Sequence, residues 1–180
     1  MTDGPTYNPR AIKEDDPRVS ILNSMVNMLG WSITHHGNVE YLLSDVAWRC
    51  RTLPEYSHLG DFPAAPAQRL GRLRSILASE GPLSAYRSEL VPIIDRLAAL
   101  SERRHFIAHG YRDFQSTKSG EKAEMRFCRF VQEKDKAPRI EQVEYDHATL
   151  DSSMREWRTL DIDAKKAIGT MYFRLGWEQP

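Results

Sequence analysis

Cysteine is scarce in this chain. The two present, Cys50 and Cys128, stand far apart with no ligand-like spacing. That argues against a disulfide-stapled scaffold and a cysteine-held metal, and makes free buried thiols in a reducing cytosol the expectation. Net charge is absent as well. Lysine and arginine number 25 and so do the acids, so no global field draws the chain to nucleic acid or to a membrane surface. No apolar run approaches the roughly 18 residues that a spanning helix needs. Residues 1–16 lack the apolar stretch of a signal peptide. With Gly4, Pro5 and Pro9 they read as an extended or mobile arm. Internal repeats, a phosphate-cradling glycine loop and a nucleophilic-serine motif are all missing. The expectation left standing is a cytoplasmic protein with a single folded domain over residues 17–176. An apolar fraction of 41% and four tryptophans in 180 residues suffice for one sizeable core.

What is there is mostly helical periodicity. Val19, Leu22, Met25, Val26, Leu29 and Ile33 recur at spacings of three and four, and Val39, Leu42, Leu43, Val46 and Trp48 continue the pattern. This predicts one long helix over about 17–52, or two broken near His36-Gly37. Three prolines and Gly60 make 53–66 a loop. A shorter helix follows over about 66–80, stopped by Gly81-Pro82. Ser84 is a plausible N-cap for the next helix, which carries Leu90, Ile93, Ile94, Leu97 and Leu100 and holds Pro92 as a possible kink. After Gly110 the period changes. Residues 111–122 read as a polar loop, and 123–145 as a β-hairpin with a polar turn at 133–138. Asp146 is a candidate N-cap for a last helix whose stripe is Met154, Trp157, Leu160, Ala164, Ile168, Met171 and Leu175, ending before Gly176. The fold class expected is therefore mainly α: an up-and-down bundle of about four to five helices with one inserted hairpin.

Charge is unevenly spread. Residues 67–112 hold eight arginines, no lysine and four acids. Such a region can follow phosphates, although a solvated helix face is the commoner meaning. Within it lies the densest chemistry of the chain, Glu102-Arg103-Arg104-His105-Phe106-Ile107-Ala108-His109-Gly110. Arginine is a permanent cation whose planar fork suits phosphate oxygens. Histidine exchanges a proton near neutral pH. The structural reading is that basic side chains at a helix C-terminus complement its dipole and free carbonyls, with Gly110 as the stop. Residues five apart are separated by about 140° around an ideal helix. Arg104 and His109 are then expected to meet only if the helix unwinds before Gly110 or if two copies share one cleft.

Arg104-His105-Phe106-Ile107-Ala108-His109-Gly110 resembles the signature of HEPN domains: an arginine, a polar residue, several apolar residues and a histidine, often preceded by alanine and followed by glycine. The helical layout extends the resemblance over about 160 residues. It implies a dimeric helical domain and a metal-independent endoribonuclease, in the setting of a toxin with its antitoxin or of a defence effector. RNA would be cut by its own 2′-hydroxyl, leaving a 2′,3′-cyclic phosphate. His109 would transfer the proton, Arg104 would anchor the phosphate, and His105 would orient His109 or touch substrate. Arg103 competes for the arginine role, since longer spacings also occur in the family; Arg104 is preferred because His105 then fills the polar slot. Arg103, Glu102 and Arg112 are further candidates for substrate contact. The same family includes members that have lost catalysis, so a silent RNA-, nucleotide- or protein-binding scaffold is the alternative.

No cofactor and no metal is expected. His35 and His36, being adjacent, point about 100° apart on a helix and make a poor ligand pair. His105 and His109 are better spaced, but no third ligand stands near them in sequence. His58 and His147 read as surface residues. Nothing points to sequence-specific DNA binding.

Overall fold

The computed structural model describes residues 16–61, 63–117, 122–133 and 136–178. All of the expected arm but Asp16 lies outside them. Four α-helices and three strands follow in the order α1 (Pro17–Arg49), α2 (Pro66–Ala78), α3 (Arg87–His109), β1 (Tyr111–Ser116), β2 (Ala123–Val131), β3 (Arg139–Asp146) and α4 (His147–Leu175). Short 3-10 segments occupy Cys50–Thr52, Pro54–Leu59 and Ser84–Tyr86. The fold is mainly α with an antiparallel insertion, as the periodicity predicts. Among the described residues no helix is long and apolar enough to cross a membrane.

The first helix is unbroken. Gly30 and Gly37 are both tolerated at exposed positions of α1, where a missing side chain costs backbone entropy but no packing. The last helix begins and ends as its sequence dictates. Asp146 Oδ1 accepts the Thr149 amide at 2.7 Å, an N-cap bond that satisfies one orphan donor. Hydrogen bonds from Thr149 hold the Asp146 carboxyl below its usual range. At the other end Gly176 takes φ 66°. The Trp177 amide reaches back to the Tyr172 carbonyl at 2.9 Å, which is a Schellman ending.

The insertion is larger than a hairpin. Residues 111–116, expected as part of a polar loop, form β1 and pair antiparallel with β2, giving a three-stranded sheet in the order β1-β2-β3. Phe114 stands opposite Met125, and Met125 opposite Tyr145. These half-buried or buried side chains share the inner face. Asp113 and Gln115 alternate onto the other face of this edge strand, and their polarity disguised it.

The chain divides into two compact units, and α1, α3 and α4 each give one segment to each. Unit one comprises the described residues up to Ile33 together with Arg103–Arg155. Its core joins Met25, Leu29, Phe106, Ile107, Met125, Phe127, Tyr145 and Leu150. Arg129 lies over the Phe106 ring, 4.1 Å from its centre, while pairing with Glu141 at 2.6 Å. The outer face of the sheet is partly apolar, with Tyr111, Phe130 and Ile140 exposed. Unit two comprises Thr34–Glu102 and Glu156–Pro180. Its core gathers Val39, Leu43 and Val46 of α1, Leu73 and Leu77 of α2, Ile94 and Leu97 of α3, and Trp157, Ile168 and Met171 of α4. Burying each such side chain contributes roughly 1.5–3 kcal/mol. The stripes read from sequence are therefore largely the cores. Val26, Ile33 and Trp48 are exceptions, since they are exposed.

Both cysteines are free. Cys50 is fully buried, and burial pushes its thiol up to about 12. Cys128 is only half-buried on β2, which corrects the expectation of two buried thiols. A thiol reagent at pH 8 is expected to modify Cys128 in the native protein and Cys50 only after unfolding, because the thiolate is the reactive form. Titration with a chromogenic disulfide, with and without denaturant, measures this; two equally fast thiols in the native state would contradict it.

Candidate functional site

The last two turns of α3 sort their side chains by angle. Phe106 and Ile107 are buried in the core of unit one. Arg103 falls between them around the helix, at steps of about 100° per residue, and turns inward accordingly. Its Nη1 donates to the Ser153 hydroxyl at 3.3 Å, and Ser153 is buried. Its charge also lies close enough to Tyr145 to oppose the rise that burial imposes on the phenol. Arg103 is thus committed to the interior side of the helix.

Arg104, His105 and His109 lie elsewhere on that helix and are brought together. Arg104 Nη1 stands 3.4 Å from His109 Nε2, at the long end of a hydrogen bond. The His105 and His109 rings lie with centres 5.0 Å apart and planes tilted by 56°. Both histidines are exposed and Arg104 is half-buried. The expectation that Arg104 and His109 meet only through unwinding or a second copy is overturned. Helix α3 runs to His109, and the Gly110 amide still bonds the Phe106 carbonyl at 2.9 Å. The long arginine side chain closes the angular gap by itself.

Arg104 stands apart from most arginines of the chain in its partners. Arg49 pairs with Asp45, Arg74 with Asp95, Arg96 with Asp163, Arg126 with Glu144 and Arg155 with Asp151. Arg69 and Arg72 are held by the Ala64 and Asp61 carbonyls. The arginine-rich stretch is therefore largely occupied by structural contacts. Among the described residues no carboxylate pairs with Arg104, and its buried Nε has no acceptor. A buried donor left unmade costs about 1–3 kcal/mol. Of the remaining candidates, Glu102 is exposed on the stretch of α3 in unit two. Arg112 is exposed on β1, opposite Phe127 in register.

Gly110 is required by crowding. A Cβ there would lie 2.6 Å from the Phe106 carbonyl oxygen and 3.3 Å from Phe127 Cβ. Helix α3 passes directly into β1 only because this position is bare. Gly110→Ala is expected to destabilise the protein by about 1–3 kcal/mol, the usual cost of overpacking. Thermal unfolding measures it, and an unchanged melting temperature would show that the junction yields.

A second polar centre was missed in the sequence and lies within unit two. Asp161 is only 2% exposed. Its Oδ2 accepts from His35 Nδ1 at 2.7 Å, Lys165 Nζ at 3.0 Å and Asn38 Nδ2 at 3.1 Å. Burial raises its carboxyl, but the hydrogen bonds from His35, Asn38 and Lys165 outweigh that, and the group is held below the usual carboxylate range. His36, also buried, meets the edge of Trp157 at 4.9 Å between ring centres and lies 3.6 Å from Glu40. His35 and His36 thus diverge, as their adjacency predicts: His36 is buried against Trp157 and His35 is half-buried on Asp161. His147, read from the sequence as a surface residue, is half-buried and bonded to the Ser24 hydroxyl at 3.0 Å.

No group of three or more potential metal ligands occurs among the described residues. Two surface clefts are lined by other side chains: one in unit one by Ile21, Glu124, Asp146 and His147, the other in unit two by Trp48, Arg51, Tyr56 and Asp61. The Arg104–His109 group lies on an exposed helix face. Comparison with protein-family models, with curated proteins and with solved structures finds no match to this chain.

Proposed function

We propose that the protein is a metal-independent endoribonuclease of HEPN type, with Arg104 and His109 as its working pair. The observation that supports this reading most is their approach to 3.4 Å within one chain, on an arginine that no carboxylate of the described residues neutralises. An uncompensated guanidinium suits a phosphate diester, and charge placed where charge develops stabilises a phosphorane. A histidine beside it can take the 2′-hydroxyl proton or protonate the departing 5′-oxygen. The bond from Arg103 to Ser153 supports giving the anchoring role to Arg104. The sequence resemblance adds a homodimer, an antitoxin or other regulatory partner, and a cytoplasmic setting to this proposal. The spacing no longer demands the dimer.

The test is incubation of the purified protein with total RNA in EDTA. The expected products carry 2′,3′-cyclic phosphate and 5′-hydroxyl ends, and they vanish in Arg104→Ala and in His109→Ala. RNA left intact across transfer, messenger and ribosomal substrates would defeat the proposal. A second reading, a silent binding scaffold, is favoured by one observation: His109 occupies the last turn of α3, where a basic side chain complements the free carbonyls. That reading expects RNA retained on the protein and uncut.

A further inference from the structure

His105 stands in the same exposed turn as His109, and the sequence leaves its task undecided between orienting His109 and touching substrate. The geometry decides more. Residues four apart on a helix differ by only about 40° in direction, and the two rings lie with centres 5.0 Å apart. Both are exposed, while the Arg104 guanidinium reaches the site from the adjoining flank. The bond that Arg104 donates to His109 Nε2 requires a lone pair on that nitrogen. In the neutral tautomer with its proton on Nδ1, His109 offers that lone pair and can act as a base.

We infer that His105 is the general acid of the Arg104–His109 site, so that a single chain carries both proton-transfer groups. This rests on the ribonuclease reading above. The step balances without any further reagent. His109 takes the proton of the 2′-hydroxyl as the O2′–P bond forms. The P–O5′ bond breaks, and protonated His105 gives its proton to O5′. The products are a 2′,3′-cyclic phosphate and a 5′-hydroxyl. His109 leaves protonated and His105 neutral, and exchange with solvent restores both. Arg104 holds the non-bridging oxygens throughout.

An acid for the leaving group is dispensable when the leaving group is already a good one. The experiment therefore compares two substrates in EDTA: an RNA oligonucleotide, and a ribonucleoside 3′-(4-nitrophenyl phosphate), whose nitrophenolate departs without a proton. His105→Ala is expected to slow RNA cleavage by about 100-fold or more, the usual worth of a general acid, and to leave the nitrophenyl ester nearly as reactive as before. In the same variant kcat/KM on RNA loses its alkaline limb, because the group that must stay protonated is gone. His109→Ala loses both substrates. Since His105 is exposed, the melting temperature serves as a check that the variant is folded. Equal loss of both substrates in His105→Ala, or retention of both, overturns the assignment while leaving the ribonuclease intact. Cleavage by the parent protein that appears only when EDTA is left out would make the reaction metal-dependent and would overturn it too. A wild-type protein that cuts neither substrate overturns the ribonuclease reading and this inference together.

Discussion

His109→Ala is expected to reduce RNA cleavage by about 10²–10⁴-fold, the range for removing a placed acid or base, with little change in stability. The separation of the two effects follows from where the side chain stands. His109 is exposed at the end of α3, so its loss opens no cavity in the core. Arg104→Ala is expected to match it in direction. Arg104→Lys should recover only part of the activity, since an ammonium supplies charge but not the planar fork. Its shorter reach also leaves the angular gap to His109 less well closed. Rates with a defined oligonucleotide, followed alongside thermal unfolding, separate chemistry from folding. If the alanine variants cut as fast as the parent protein, the pair is a helix cap and no more.

The second large effect is thermodynamic and lies in unit two. Asp161→Ala is expected to destabilise the protein by about 3 kcal/mol, at the upper end for losing hydrogen bonds to a charged group. For a chain of this size that lowers the melting temperature by about 10 °C. The loss arises mainly from His35 and Asn38, half-buried side chains that would lose their bonds to Asp161. Lys165, half in water, contributes little. The same carboxylate predicts a pH dependence. Its folded value lies below the ordinary one, so the native state binds the proton less readily than the unfolded chain does. The stabilisation is fully present above the unfolded value of about 3.9 and disappears as pH falls through the folded value. The parent protein is expected to lose stability steeply below about pH 4, and Asp161→Asn should flatten that limb. Denaturant midpoints between pH 2 and 7 measure both. A slope unchanged in the variant would assign the acid sensitivity to other carboxylates.

Much of the fold was legible because the residues that decide it act locally. The α4 stripe, its Asp146 cap and its Gly176 stop needed only neighbours within a few positions, and the structure places all three as expected. Strand β1 was not legible. Its inward residues are few, and its partner, β2, lies beyond a polar stretch. Asp161 escaped for a related reason. It follows Trp157 by four and precedes Ala164 by three, which places it on the apolar stripe, yet its partners His35 and Asn38 come from α1. Arg103 carried a usable sign: it stands three and four before Phe106 and Ile107, the spacing of one helix face. The same arithmetic that separates Arg104 from His109 considers directions and omits side-chain length. An arginine is long enough to cancel it.

The division of α1, α3 and α4 between two units has a consequence for how the chain is made. Neither unit is a continuous stretch of sequence. Phe106 and Ile107, which seat the arginine–histidine turn, pack in a core that includes Tyr145 and Leu150. During vectorial synthesis the motif leaves the ribosome well before the strand and helix that hold it in place. A nascent chain that has exposed Arg104 and His109 still lacks the support that orients them. On the proposed function, an activity directed at RNA would therefore arise only after Tyr145 and Leu150 have emerged and packed.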